Sequence, residues 1–260
     1  MATAIAKGAV VSNLAKSSEI AFFDTNENQI ALLHNKFPGC SISASAEELF
    51  SKCQRIVLAV KPQTLADIAS GLSKVISRDH LLISIAAGIP LANLVAWFGT
   101  ERVIRVMPNT PCQSLQGASG IAAAKSATAD DFEWCESLFS AVGKVVRVSE
   151  EQLHAVTGLS GSGPAYVLMM IEALSDGGVM AGLSRHAALE LATQTVLGTA
   201  IMVQETGTHP AILREQVTSP AGTTIAALST LERAGFRSAL IDGVMAAVER
   251  SKELARLFNR

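Results

Sequence analysis

The 260 residues carry no CxxC pair, no HExxH and no excess of either charge. Cys40, Cys53, Cys112 and Cys135 are widely spaced, so neither a zinc site nor a disulfide framework is indicated. Free thiols of this kind fit a reducing compartment, and a cytoplasmic protein is expected. A formal net charge of −2 provides no basic surface for nucleic acid. The longest uninterrupted apolar run near the centre, Ala165 to Ile171, ends at Glu172 and is too short to span a bilayer. The start, MATAIAKGAVV, superficially suggests a signal peptide, but its small residues at helical spacing and the lack of a clear cleavage region predict a core helix. A dinucleotide fingerprint is missing too. Gly161–Ser162–Gly163 begins like GxGxxG, yet Tyr166 stands where the last glycine belongs, and a helical pattern precedes it where a strand is required.

What is present centres on residues 153–183. A short helical pattern breaks at Gly161–Ser162–Gly163–Pro164 and then runs apolar to Leu183. Ser162 or Gly163 can cap a helix, and Pro164 suits its first turn. Apolar and small residues fall all round this helix, which predicts that it is buried nearly all round. Before it, helices and strands alternate. Strands are expected at 19–24, 40–43, 55–60, 81–85, 102–106, 120–124 and 144–148, and helices at 2–14, 26–36, 46–53, 62–73, 91–98 and 129–141. Continuous Val/Ile/Leu strands separated by helices predict an α/β fold with a doubly wound parallel sheet. After Ser149 only helices are expected: 150–158, 163–182, 185–205, 210–216, 223–234 and 236–258. The chain therefore divides into a Rossmann-like domain over 1–149 and a helical domain over 150–260. The many small residues and few charges of the helical part point to oligomerisation.

Two groups of residues could carry chemistry. The turns after the strands are Asp24–Thr25–Asn26, Ala59–Val60–Lys61–Pro62, Ile85–Ala86–Ala87–Gly88 and Met107–Pro108–Asn109–Thr110–Pro111. In a parallel sheet they share one edge, where such sheets bind ligands. Ala86, Ala87 and Gly88 would let a flat ring approach the backbone, and Lys61 offers a cation to an anionic ligand. The second group is Val217–Thr218–Ser219–Pro220–Ala221–Gly222–Thr223–Thr224–Ile225. It is a hydroxyl-rich loop opening a helix, where free N–H groups would take a carboxylate. The histidines show no paired spacing; His154 could reach a cleft, and a structural role is expected for each.

AVTGLSGSGPAYVLMMIEALSDGGVMAGL, followed by HPAILREQVTSPAGTTIAALSTLERAGFRSALIDGV, resembles pyrroline-5-carboxylate reductase, as do AVKPQ at 59–63, SIAAG at 84–88 and RVMPNTP at 105–111. The resemblance implies reduction of 1-pyrroline-5-carboxylate to L-proline by NADPH or NADH, with no metal. It places the substrate on Val217, Ser219, Gly222, Thr223 and Thr224, with the Thr224 hydroxyl near the ring nitrogen. It places the cofactor on Asp24, Thr25, Asn26, Ala59, Val60, Lys61, Pro62, Ile85, Ala86 and Ala87. It also implies an active site completed across a homodimer with interlocked helical domains, and larger rings of dimers. The family opens with a strand and a GxGxMA turn, whereas Met1–Gly8 aligns with the helix that follows that turn. An unfilled slot is therefore expected between the strands at 19–24 and 55–60. Ala46 stands where many relatives place a polar residue near the adenosine ribose. Two readings stay open: an imine reductase, or a non-catalytic oligomeric relative unable to bind dinucleotide. A hydroxyacid dehydrogenase would usually place a lysine in the helical part, and residues 151–213 have none.

Overall fold

The computed structural model of the chain describes residues 1–72 and 74–258. They form two compact units, one of Met1–Ser162 with the described residues from Met245 onward and one of Gly163–Val244. The first begins with α1 (Ala2–Val11), whose Ala4, Ile5, Ala6, Gly8 and Ala9 are buried. A Cβ on Gly8 would lie 2.3 Å from Val142 Cγ1, so only a glycine lets α1 sit this close to the chain around Val142.

Two sheets follow. β1 (Ala21–Phe22) and β2 (Ser41–Ile42) pair in parallel as a small sheet. The five-stranded sheet takes β3 (Arg55–Leu58), β4 (Leu81–Ser84), β5 (Val103–Met107), β6 (Gly117–Ala123) and β7 (Gly143–Arg147) in that order. Helices α2 (Glu27–Lys36), α3 (Ala46–Lys52), α4 (Leu65–Gly71), α5 (Leu91–Phe98) and α6 (Ala129–Ser140) connect them. The expected helix over 62–73 opens as a 3-10 turn at Pro62–Thr64, and its last residue, Ser73, lies outside the described residues. All four β4 residues are buried. Leu81 and Ile83 join one core cluster, with Ile104 and Val106, while Leu82 joins the other, with Ile56, Leu58 and Val103. Successive side chains point to opposite faces, so a continuously apolar strand fills a core on each side. Each such side chain stabilises the fold by about 1.5–3 kcal/mol.

The sheet departs from the all-parallel expectation at one place. β3, β4 and β5 run parallel, but β6 is antiparallel to β5, with β7 parallel to β6. Only residues 108–116 separate β5 from β6, among them a 3-10 turn, Thr110–Ser114, and the positive-φ residue Leu115. A parallel return needs a crossover of a dozen or more residues. The strand expected at 19–24 is also shorter than its apolar pattern. Ser17–Glu19 forms a 3-10 turn, closed by Glu19 Oε2 accepting from the Lys16 N–H at 2.8 Å.

After β7 come α7 (Leu153–Val156) and a π-helical turn, Thr157–Gly161. The second unit holds α8 (Gly163–Met180), α9 (Arg185–Thr206), α10 (Pro210–Gln216) and α11 (Thr223–Arg233). α12 (Phe236–Phe258) begins in the second unit and ends in the first. α8 and α9 form a hairpin turned at Gly182, φ +99°, with the Ser184 side chain accepting from the Ala187 N–H. Gly178 faces Ala188 closely enough that a Cβ would sit 3.1 Å from its methyl. α8 is not buried all round as expected. Ser175 alone of its described residues is buried, and Leu168, Met169 and Met180 are 66%, 71% and 90% exposed. Its apolar pattern exceeds what one copy of the chain can cover.

Candidate functional site

Because β3, β4 and β5 are parallel and in register, the residues that follow them emerge at one edge of the sheet. Between the small sheet and β3 lies a cavity of about 590 Å3. Ala2 and Ile5 of α1, Phe22 of β1, Asp24 and Thr25 after it, and Leu58, Ala59 and Val60 of β3 and its turn line it, with Ala46. Among the described residues, β1 pairs only with β2, and β3 only with β4. Each thus keeps a row of backbone groups without a ladder partner, and an extended segment could fill the slot expected from the sequence.

The structure brings Asp24, Thr25, Ala59 and Val60 together at this cavity, while Asn26, Lys61 and Pro62 stand outside its lining. Asn26 is the N-cap of α2: its N–H donates to Asp24 Oδ1 at 2.9 Å, and its own Oδ1 accepts from the Asn28 N–H at 3.0 Å. Asp24 is half-buried and keeps its second carboxylate oxygen clear of these bonds. Lys61 is exposed and precedes the 3-10 turn that Pro62 starts. Thr64, which the sequence reading missed, also lines the cavity, its hydroxyl donating to the Lys61 carbonyl at 2.9 Å. A hydroxyl one turn beyond Lys61–Pro62 was the available signal. One strand further, Ile85 is half-buried and Ala86 buried, with its N–H directed at Ser84 Oγ, 3.4 Å away. Ala87 is exposed, and Gly88 is buried at φ +80°. The fourth turn holds the chain together: buried Asn109 accepts from the Ala118 N–H at 2.9 Å and donates to the Ser160 carbonyl at 3.0 Å.

An ion pair lies beneath this edge. Arg105, on β5, is buried and donates to Glu150 Oε1 at 2.7 Å, and the same oxygen accepts from the Leu91 N–H at 2.6 Å. Burial lowers the Arg105 pKa, and Glu150 opposes that shift. His154 Nδ1 lies 2.9 Å from Ser251 Oγ; burial foremost, then the Arg105 and Lys252 charges, holds its pKa below the usual imidazole value. His80 is buried, with Nε2 at 2.9 Å from the Phe50 carbonyl, and His209 Nδ1 caps α10 by accepting from the Ala211 N–H. These three histidines hold structure together, as their spacing suggested.

In the helical unit, 217–222 is a tight loop, and Thr223, Thr224 and Ile225 open α11. Thr218 Oγ1 donates to the Arg214 carbonyl at 2.6 Å, and Ala221 adopts φ +55°. The Gly222 N–H donates to the Ser219 carbonyl at 3.1 Å. A Cβ at Gly222 would lie 2.2 Å from Ser219 Oγ, so a larger residue there would make that hydroxyl turn away. Gly222 is the N-cap of α11, and no side chain caps the helix. Val217, Ser219 and Thr223 are exposed and Thr224 half-buried. The start of α11 thus presents N–H groups that no side chain satisfies, with hydroxyls beside them, an arrangement that favours an anion.

Comparisons with known proteins bear on both units. The family model described as "NADP oxidoreductase coenzyme F420-dependent" matches residues 1–88, and that described as "Pyrroline-5-carboxylate reductase dimerisation" matches residues 150–254. The pyrroline-5-carboxylate reductase of Pisum sativum is 45% identical over 98% of this chain and 93% of its own length. A pyrroline-5-carboxylate reductase structure from Coxiella burnetii superposes with a TM-score of 0.92 at 34% identity, covering 98% of this chain and 94% of that one. The Plasmodium falciparum enzyme, solved with NADP bound, gives a TM-score of 0.85 at 31% identity, covering 97% of this chain and 93% of that one.

Proposed function

Because this chain belongs to the pyrroline-5-carboxylate reductase family, we propose that the loop opening α11 grips the carboxylate of its substrate. The reaction is the NAD(P)H-dependent reduction of 1-pyrroline-5-carboxylate to L-proline. The alternative of a non-catalytic relative finds no support among close relatives that carry the reductase name over 98% of this chain. Bound NAD(P)H supplies the hydride, and the imine carbon is already electrophilic once its nitrogen is protonated. What remains for the protein is to place the two and hold the carboxylate.

The observation that carries the proposal is the side-chain-uncapped start of α11, with Thr223 and Thr224 in its first turn. Val217, Ser219, Gly222, Thr223 and Thr224 form the substrate loop, and the Thr224 hydroxyl serves the ring nitrogen. Thr224→Ala should lower kcat/KM for pyrroline-5-carboxylate by about 1–3 kcal/mol, the scale of a lost hydrogen bond to a charged group. NADPH affinity should barely change. An unchanged kcat/KM would remove Thr224 from the site.

Residues 1–149 serve the cofactor and 150–260 the substrate and self-association. The residues present fit a dinucleotide at Asp24, Thr25 and Asn26, at Ala59, Val60, Lys61 and Pro62, and at Ile85, Ala86 and Ala87: the last two turns leave neighbouring parallel strands, and Asp24 and Thr25 line one cavity with Ala59 and Val60. The free oxygen of Asp24 can accept from ribose hydroxyls and would repel a 2′-phosphate. NADH should therefore be used at least as well as NADPH. A KM for NADPH about tenfold below that for NADH, worth ~1.4 kcal/mol, would reverse this assignment. The exposed Leu168, Met169 and Met180 support an interlocked homodimer, or a ring of dimers, that covers α8. Four free cysteines support a cytoplasmic enzyme, and the balanced charge supports the lack of a nucleic-acid partner. No described helix is long and apolar enough to cross a membrane.

A further inference from the structure

The Ile85–Gly88 turn is enclosed by a part of the chain far from it in sequence. A Cβ at Gly88 would lie 3.8 Å from the Ala255 backbone nitrogen and 3.8 Å from Leu254 Cβ, so the last turns of α12 rest against the turn. Those turns are tied at two further points. Ser251 bonds His154 of α7 at 2.9 Å. Asn93 Nδ2 donates to the Phe258 carbonyl at 2.6 Å, and Phe258 packs on the core cluster beneath the turn. A carbonyl at a helix end ordinarily finds water. Here it accepts a hydrogen bond from α5, the helix that the turn leads into. The start of α5 is itself fixed, because the Leu91 N–H donates to Glu150, which also holds Arg105. The turn is thus bounded by β4 before it, an anchored α5 after it and the end of α12 alongside.

We propose that the Ser251–Phe258 end of α12, held by Asn93 and His154, is a positioning element that sets the Ile85–Gly88 turn for the nicotinamide end of the cofactor. The proposal rests on reading that turn as part of the cofactor site. No residue of the element touches the reacting atoms. It acts through the turn, where a displacement of ~1 Å can cost ~100-fold in rate.

Asn93→Ala and Ser251→Ala in the full chain separate this role from general stability. Amide hydrogen exchange at Ala86, Ala87 and Gly88 should speed up about tenfold in both variants, while β3 and β5 stay within about twofold. Fluorescence titration should show NADPH affinity falling by roughly fivefold, and ADP-ribose affinity, which lacks the nicotinamide, unchanged. Asn93→Gln, which restores an amide donor, should recover part of both effects. Unchanged exchange at the turn in both variants would overturn the proposal. So would equal losses for NADPH and ADP-ribose, because the effect would then be general. A native chain that binds no NADPH would count against the cofactor reading itself, and the exchange rates would still decide whether the end of α12 holds the turn.

Discussion

A version of the chain extended ahead of Ala2 by an apolar strand and a glycine-rich turn should bind NADPH at least ~100-fold more tightly than residues 1–260, as a few added amide bonds to a pyrophosphate would give. It should also melt higher. The cavity of about 590 Å3 between β1 and β3 is lined by apolar side chains, Ile5, Phe22, Ile56 and Leu58 among them, beside two strands that each pair on one edge only. A strand of ~5–6 residues placed there would bury side chains worth about 1.5–3 kcal/mol each, against ~1–2 kcal/mol per residue for ordering its backbone. A net gain of ~3–4 kcal/mol raises Tm by roughly 10 °C in a chain of this size. The glycines matter separately from the strand. They let the backbone approach the pyrophosphate, so a strand followed by a turn without glycine should recover stability but not affinity. Calorimetry and NADPH fluorescence on the three versions test this. Equal affinity in all of them would show that the glycine-rich turn is dispensable here.

Asp131→Ala should produce a large loss of stability for a substitution outside the apolar core. Asp131 is 3% exposed, and both its oxygens are occupied by Arg102, Nε to Oδ2 at 3.0 Å and Nη2 to Oδ1 at 2.5 Å. Its Oδ2 also accepts from the Thr128 N–H at 3.0 Å, while Thr128 Oγ1 accepts from the Asp131 N–H at 3.1 Å, which closes a capping box at the start of α6. Removing the carboxylate leaves the guanidinium without its partner and takes away one of the two capping-box bonds, while Thr128 Oγ1 still caps the helix. Breaking a buried pair from one side costs about 3–5 kcal/mol. Because Arg102 is 32% exposed and can turn to water, we expect the lower end, ~3 kcal/mol, or a Tm lower by roughly 6–12 °C. The pH dependence has a definite sign. Bonding to Arg102, foremost, holds the Asp131 pKa below its ordinary 3.8. A depressed carboxylate contributes its full stability above the unfolded value and loses it as pH falls through the folded one. The Tm difference between the native chain and Asp131→Ala should therefore be constant from pH 7 to about 5 and shrink below about pH 4. A difference that stays the same at pH 3 would show that the ion pair does not carry the effect.

Local patterns in the sequence determined most of the elements, because their causes are local. The α5 helix lies over Leu91–Phe98 as expected, since an apolar run is stopped by Gly99, which takes the left-handed conformation at φ +66°. The break between α7 and α8 falls at Ser162, just before Pro164. The start of α11 was legible because small and hydroxyl residues there mark a helix beginning. Tertiary structure decided what depends on partners distant in sequence. It set β6 antiparallel, because the connection from β5 is too short for a crossover. It cut β1 to two residues, because that strand pairs along one edge only. It joined Arg105 to Glu150 and Asn93 to Phe258 across spacings that no periodicity marks. It also left α8 exposed. The sequence records that this helix is apolar all round, but which surface covers an apolar face depends on what packs against it, and α9 covers part of that face while Leu168, Met169 and Met180 stay exposed.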